Sequence, residues 1–169
     1  MGRRATIASG NVWYEARMEA AKTNDKLKSR FGAADEAGMS EDAIKNTELG
    51  LEKQMPVDKA VILADLYNAP QLLSHYCLHE CPIGHTMAVT DEVMSIESVT
   101  LKLLKGLRVS QLNPILEQLV DIAEDGEVSP DKVGEFEKIV EYFEGISRYI
   151  NALKVISKKV SKGKTNGEP

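Results

Sequence analysis

The sequence predicts an all-α protein in two parts, on three observations. Almost every periodic stretch repeats its apolar residues three or four apart, the spacing of one helix face. The strand-type alternation of Val, Ile, Thr and aromatic residues is absent. Beyond Pro82 the sequence changes character, from short segments cut by Gly and Pro to longer amphipathic runs.

The elements follow in order. Asn11 to Thr23 reads as a first helix, with Trp13, Tyr14, Met18 and Ala21 near one side. Ser29 to Ala37 is a second, with Ser at its start and Gly38 at its end, the expected stop residue. A third starts after Ser40 and ends near Leu49 and Gly50; Ser40 can cap it, and Glu41 and Asp42 suit its positive N-terminal dipole. A fourth follows Pro56, with Val57, Val61, Leu63, Ala64 and Leu66 as its expected buried face. Asn68-Ala69-Pro70 breaks it, and Gln71 to His79 forms a short fifth. Cys81-Pro82-Ile83-Gly84 starts a linker. Val93 to Leu107 and Leu112 to Ala123 are then amphipathic helices. Ser129-Pro130-Asp131 opens a last long helix, with Ser as cap and Pro in the first turn. Within it Ile139, Phe143, Ile146, Ile150, Leu153, Ser157 and Val160 alternate four and three apart, a partly coiled-coil seam.

Composition bounds the class. The chain has 169 residues, 43% of them apolar and 28% charged, which excludes wholesale disorder. No apolar run is long enough for a transmembrane helix, and the N-terminal segment has no apolar core of a secretory signal. Two cysteines do not make a disulfide scaffold, so a cytoplasmic chain with no membrane partner is expected. The net charge of −5 hides a split. Residues 1–30 hold seven Lys/Arg against three Asp/Glu, and residues 154–169 five against one. Residues 31–56 hold two against six, and residues 57–153 seven against sixteen. Local charge decides contact with phosphate, so nucleic-acid binding survives the global acidity.

The second and third helices carry the most informative motif. Small Ala34 lets two helices cross closely, Gly38 permits a tight turn, Met39 and Ile44 plug the space beneath it, and Ser40 caps a helix whose N-terminal half can enter a major groove. Arg30, Ala34, Gly38, Met39, Ser40, Ile44, Glu48 and Gly50, with Pro56 and Leu63-Ala64 beyond, resemble the Cro/repressor-type helix-turn-helix regulators, the xenobiotic-response-element family. The stretch Tyr76-Cys77-Leu78-His79-Glu80-Cys81-Pro82-Ile83-Gly84 is similar to a bacterial subgroup in which a helical tail follows. The resemblance covers roughly residues 10–76 and implies a lambda-repressor-like five-helix DNA-binding domain. It implies that Ser29 and Arg30 meet phosphate or a base edge, that Ser40, Lys45 and Asn46 lie on or beside the reading face, and that Lys53 touches the backbone. The sequence departs from the pattern at Glu41 and Asp42, where groups facing DNA are usual, at Thr47, where an aromatic is common, and at Phe31, where a polar residue is common. Arg3 and Arg4 could form a minor-groove arm, or simply a solvated tail.

His75, Cys77, His79, Cys81 and His85 share one window of eleven residues. Three readings stay open there: cysteines packed in the small domain's last helix, a metal site built on Cys77 and Cys81, or a thiol-redox pair. Asp121 to Lys132 fails as a calcium loop, because Ala123 and Lys132 stand where oxygen ligands are needed. No nucleophile–base set or phosphate loop appears, so no enzyme and no cofactor are expected.

The expected organisation is a helix-turn-helix domain at 1–82, a linker at 83–90, a helical dimerisation or interaction region at 91–160 and a flexible tail at 161–169. The expected function is sequence-specific binding of double-stranded DNA and regulation of transcription, as a homodimer joined through the long seam; the seam can alternatively pack within its own chain against the two preceding helices. The alternative is a non-enzymatic adaptor with a degenerate helix-turn-helix, whose acidic C-terminal helices bind protein.

Overall fold

The computed structural model describes residues 8–124 and 126–165, the last four by their backbone. Among the described residues it contains eight α-helices and no strand: α1 (Val12–Ala20), α2 (Arg30–Ala37), α3 (Glu41–Glu48), α4 (Val57–Leu66), α5 (Gln71–His79), α6 (Ile96–Gly106), α7 (Val109–Glu124) and α8 (Val133–Thr165). None is long and apolar enough to cross a membrane. The chain divides between His85 and Thr86 into two compact units, and the end of α8 from Lys158 groups with the first.

Side-chain caps set the helix starts of the first unit. Asn11 Oδ1 accepts from the Trp13 and Tyr14 N–H groups at 2.9 and 3.2 Å and starts α1. A 3-10 turn at Asp25–Lys28, which the sequence pattern did not show, leads into Ser29, whose Oγ accepts from Gly32 N at 3.0 Å and starts α2. Gly32 lies close to that turn: a Cβ there would stand 2.1 Å from the Lys26 carbonyl oxygen. Gly38 ends α2 in the left-handed region (φ 64°), where a side chain is strained. Ser40 Oγ then accepts from Ala43 N at 3.2 Å and starts α3. The core is Trp13, Leu27, Ala33, Ala34, Ile44, Met55, Ala60, Leu63, Ala64, Tyr67, Leu72 and Tyr76. The Tyr76 hydroxyl donates to the Met55 carbonyl at 3.2 Å, which ties α5 to the loop before α4.

The buried face of α4 matches the expected one at Leu63 and Ala64, with Leu66 packed against the core, but not at Val57 and Val61. Val57 and Val61 are 61% and 51% exposed, while Lys59, Ala60, Leu63 and Ala64 are buried. The valines lie on the same side as one another, four apart, but the helix turns its small residues inward, where α2 also brings Ala33 and Ala34.

The second unit is built from α6, α7 and most of α8 around a small core of Val99, Ile122, Ile139, Ile146 and Ala152. The Tyr142 hydroxyl donates to the Gly106 carbonyl, and the Lys102 ammonium stands 5.5 Å from the centre of the Tyr149 ring, so α6 packs on α8. Lys132 Nζ donates to Asp121 Oδ2 at 2.9 Å and fixes the turn between α7 and α8. That turn is longer than expected. Lys132 N donates to the Ser129 carbonyl at 2.9 Å, so Ser129 closes a turn and Pro130 stays outside a helix that starts at Val133. At its other end α8 continues to Thr165, through the first residues of the expected tail.

Candidate nucleic-acid interface

Two ionic clusters hold the inner side of α3. In the first, Glu48 is almost wholly buried and receives Arg17 through Nε–Oε1 and Nη2–Oε2 contacts of 2.5 and 3.1 Å, while Arg30 Nε donates to its Oε2 at 2.7 Å. Arg17 Nη1 also donates to the Leu27 carbonyl at 2.7 Å. One carboxylate thereby joins α1, α2, α3 and the 3-10 turn. Burial, with the Glu48 charge second, pushes the nearby Tyr67 hydroxyl well above the ordinary tyrosine range.

In the second cluster, buried Lys59 of α4 donates to Glu52 Oε1 at 2.6 Å and to the Ala43 carbonyl at 2.7 Å. The Thr47 hydroxyl lies 2.9 Å from that same carbonyl oxygen and 3.0 Å from Glu52 Oε2. Asn11 Nδ2 donates to the Thr47 carbonyl at 3.1 Å. A buried charge left without its partner costs several kcal/mol, so each cluster locks the position of α3.

The outer side of α3 is open. Ser40, Glu41, Asp42 and Lys45 are exposed, and Asn46 is half-buried. The Lys45 ammonium stands 3.9 Å from Asp42, a loose pair on the same face. Lys53 is exposed in the loop after α3 and makes no ion pair among the described residues. Ser29 is exposed at the start of α2, with its oxygen engaged as the cap. Arg30 is different: one edge of its guanidinium is committed to Glu48, so its first role is to brace α3. Arg3 and Arg4 lie outside the described residues.

Other exposed cations of the first unit already face carboxylates. Lys26 meets Glu36 at 2.5 Å, Lys28 meets Asp25 at 2.7 Å and Lys22 meets Glu19 at 2.5 Å. All three lysines are largely exposed, and such pairs contribute little and exchange readily for another anion.

Arg17, Glu52 and Lys59 were not picked out from the sequence. The signal was there: Arg17 stands four residues after Trp13, and Glu48 four after Ile44, so each charge occupies a core position of its helix. Opposite charges at core positions of two helices are a pairing signal. Lys59, four residues before Leu63, is the equivalent on α4.

Cys77 is half-buried in α5, and burial, with Cys81 second, pushes its thiol above the ordinary range. Cys81 packs against the core. The His75 and His79 rings lie 4.3 Å apart and tilted. Neither cysteine falls in a group of three or more metal-ligating side chains among the described residues.

No family model, curated protein or solved structure matches the chain.

Proposed function

We propose that the chain is a non-enzymatic, double-stranded DNA-binding transcriptional regulator of the lambda-repressor-like, Cro/repressor type, acting in the cytoplasm as a dimer. The observation that carries the reading is the division of α3 into an anchored side and an open one. Glu48 and Thr47 hold its inner side, while Ser40, Lys45 and the first turn stand in solvent. A helix held in this way keeps its geometry as it enters a major groove. Lys45 and Asn46 would reach base edges, Ser29 and Lys53 would contact phosphate, and Glu41 or Asp42 would accept from a cytosine amino group. A dimer sets two such helices on half-sites about one helical turn apart.

The test is a gel-shift titration against the DNA surrounding the protein's own gene. A complex at about 50 mM salt that weakens steeply as salt rises is expected, since each neutralised phosphate adds about −0.9 to the slope of log K on log salt. Glu41→Arg with Asp42→Ser should tighten general DNA binding, because both residues stand exposed at the groove end of α3. No complex at low salt would end this reading.

A second reading is favoured by one observation. Phe31, in the first turn of α2, is 71% exposed, and Leu51 after α3 is 65% exposed. Exposed apolar groups of this size suit a protein partner better than a phosphate backbone. A protein retained on the chain after nuclease treatment, and lost with Phe31→Ser, is the result that supports it.

A further inference from the structure

We propose that α6 and α7 form the face through which two copies of this chain associate, the apolar ridge of α6 in one copy lying in the groove of α7 in the other. This rests on the dimer of the proposed function and gives it a surface. It does not need DNA contact, because association is measured with no nucleic acid present.

The long seam of α8 was the expected dimer surface. Its Ile139 and Ile146 are buried inside the second unit, while Phe143, Ile150 and Val160 of the same seam remain exposed, so only part of that seam is used within the unit. The most exposed apolar side chains of the unit's helices lie on α6 and α7. On α6, Leu101 and Leu104 are 67% and 62% exposed, and on α7, Val109, Leu116 and Val120 are spaced seven and four apart on the outer side. A row of exposed large apolar side chains along one side of a helix in a small unit marks an interaction surface.

Charge identifies the occupant. The α6 ridge is bordered by Lys105 and, just past the helix end, Arg108. Along α7 runs a groove of about 380 Å³ lined by Asn113, Leu116, Glu117, Val120, Asp121 and Glu124. Asp121 is engaged by Lys132, but Lys105, Arg108, Glu117 and Glu124 make no ion pair among the described residues. The second unit therefore carries an apolar ridge with a basic edge on α6 and, on α7, a groove that holds Leu116 and Val120 beside acidic side chains. A two-fold axis brings ridge to groove twice, since each residue's contact is repeated with the copies exchanged. An anionic membrane surface matches the ridge but is repelled by the groove, and a basic protein matches the groove but is repelled by the ridge. A second copy matches both.

Sedimentation velocity of the full chain, without nucleic acid, is the test. A dimer is expected, weaker at high salt. Leu104→Glu should leave monomer at concentrations where the unaltered chain is dimeric. Lys105→Glu with Arg108→Glu makes both edges acidic, and Glu117→Lys with Glu124→Lys makes both basic; each pair should weaken self-association about tenfold or more. Mixing these two chains one to one should restore a dimer, now containing one of each. Misfolded chains would not regain a partner in this way, so restoration separates lost docking from lost folding. A wild-type chain that stays monomeric at every soluble concentration overturns the proposal. So does a dimer indifferent to the charge reversals, or a mixture that stays monomeric. None of these outcomes bears on the gel-shift result, and a failed gel shift leaves the dimer standing.

Discussion

In the first unit the charges Arg17, Glu48 and Lys59 lie inside and bulky Val57 and Val61 lie outside. In the second the buried positions are all apolar, but they are few, and long apolar side chains such as Leu101, Leu104 and Val109 stand in water. The same ingredients are placed differently because the units stabilise themselves differently. Five short helices cannot interlock through apolar contact alone at every crossing, so Glu48 and Lys59 supply directional contacts that fix which helix sits where. Three longer helices need only a narrow strip each to hold together, and the remaining apolar strip is left for another molecule. Internal charge thus accompanies a precise scaffold, and external apolar surface accompanies an incomplete one.

The largest expected effect breaks the first half of that contrast. Glu48→Gln leaves Arg17 buried without a carboxylate and should lower stability by about 3–5 kcal/mol in urea unfolding. A loss below about 1 kcal/mol, the range of an exposed pair, would mean that the cluster is solvated and the contrast false. Next in size is a pair of substitutions on opposite sides of α4. Leu63→Ala removes a fully buried side chain and should cost about 2–5 kcal/mol, whereas Val61→Ser on the exposed side should stay within about 0.5 kcal/mol. Equal losses would show that α4 is turned over relative to the structure described. The smallest effect sharpens the role of the turn: Ser40→Ala removes the acceptor for Ala43 N and should cost about 1 kcal/mol in thermal unfolding.

What could be read from the sequence were the places where one residue decides local geometry. Ser29, Gly38, Ser40 and Pro70 mark helix ends through their own caps, backbone angles or missing N–H, so the bounds of α2, α3 and α5 lie where the residues put them. What could not be read depends on a second segment. Val57 and Val61 repeat at helical spacing, but spacing does not say which of two possible sides meets the neighbour. Here the narrow side carrying Ala60 and Ala64 is the one that is buried. Ser129 and Pro130 resemble a helix start, yet the chain first closes a turn through Lys132. At the candidate interface the exposure of Ser40 and Lys45 followed from the motif, and the bracing role of Arg30 did not, because its partner Glu48 is eighteen residues away.

The way α3 is fastened has a consequence for how such a chain can change over generations. The residues whose side chains fasten it, Thr47 and Glu48, sit in its last turn, and Glu41 and Asp42, which face outward, sit in its first turn. Substitution at the outward positions leaves the fastenings untouched, so new preferences can be sampled by descendants without each one having to rescue its fold first.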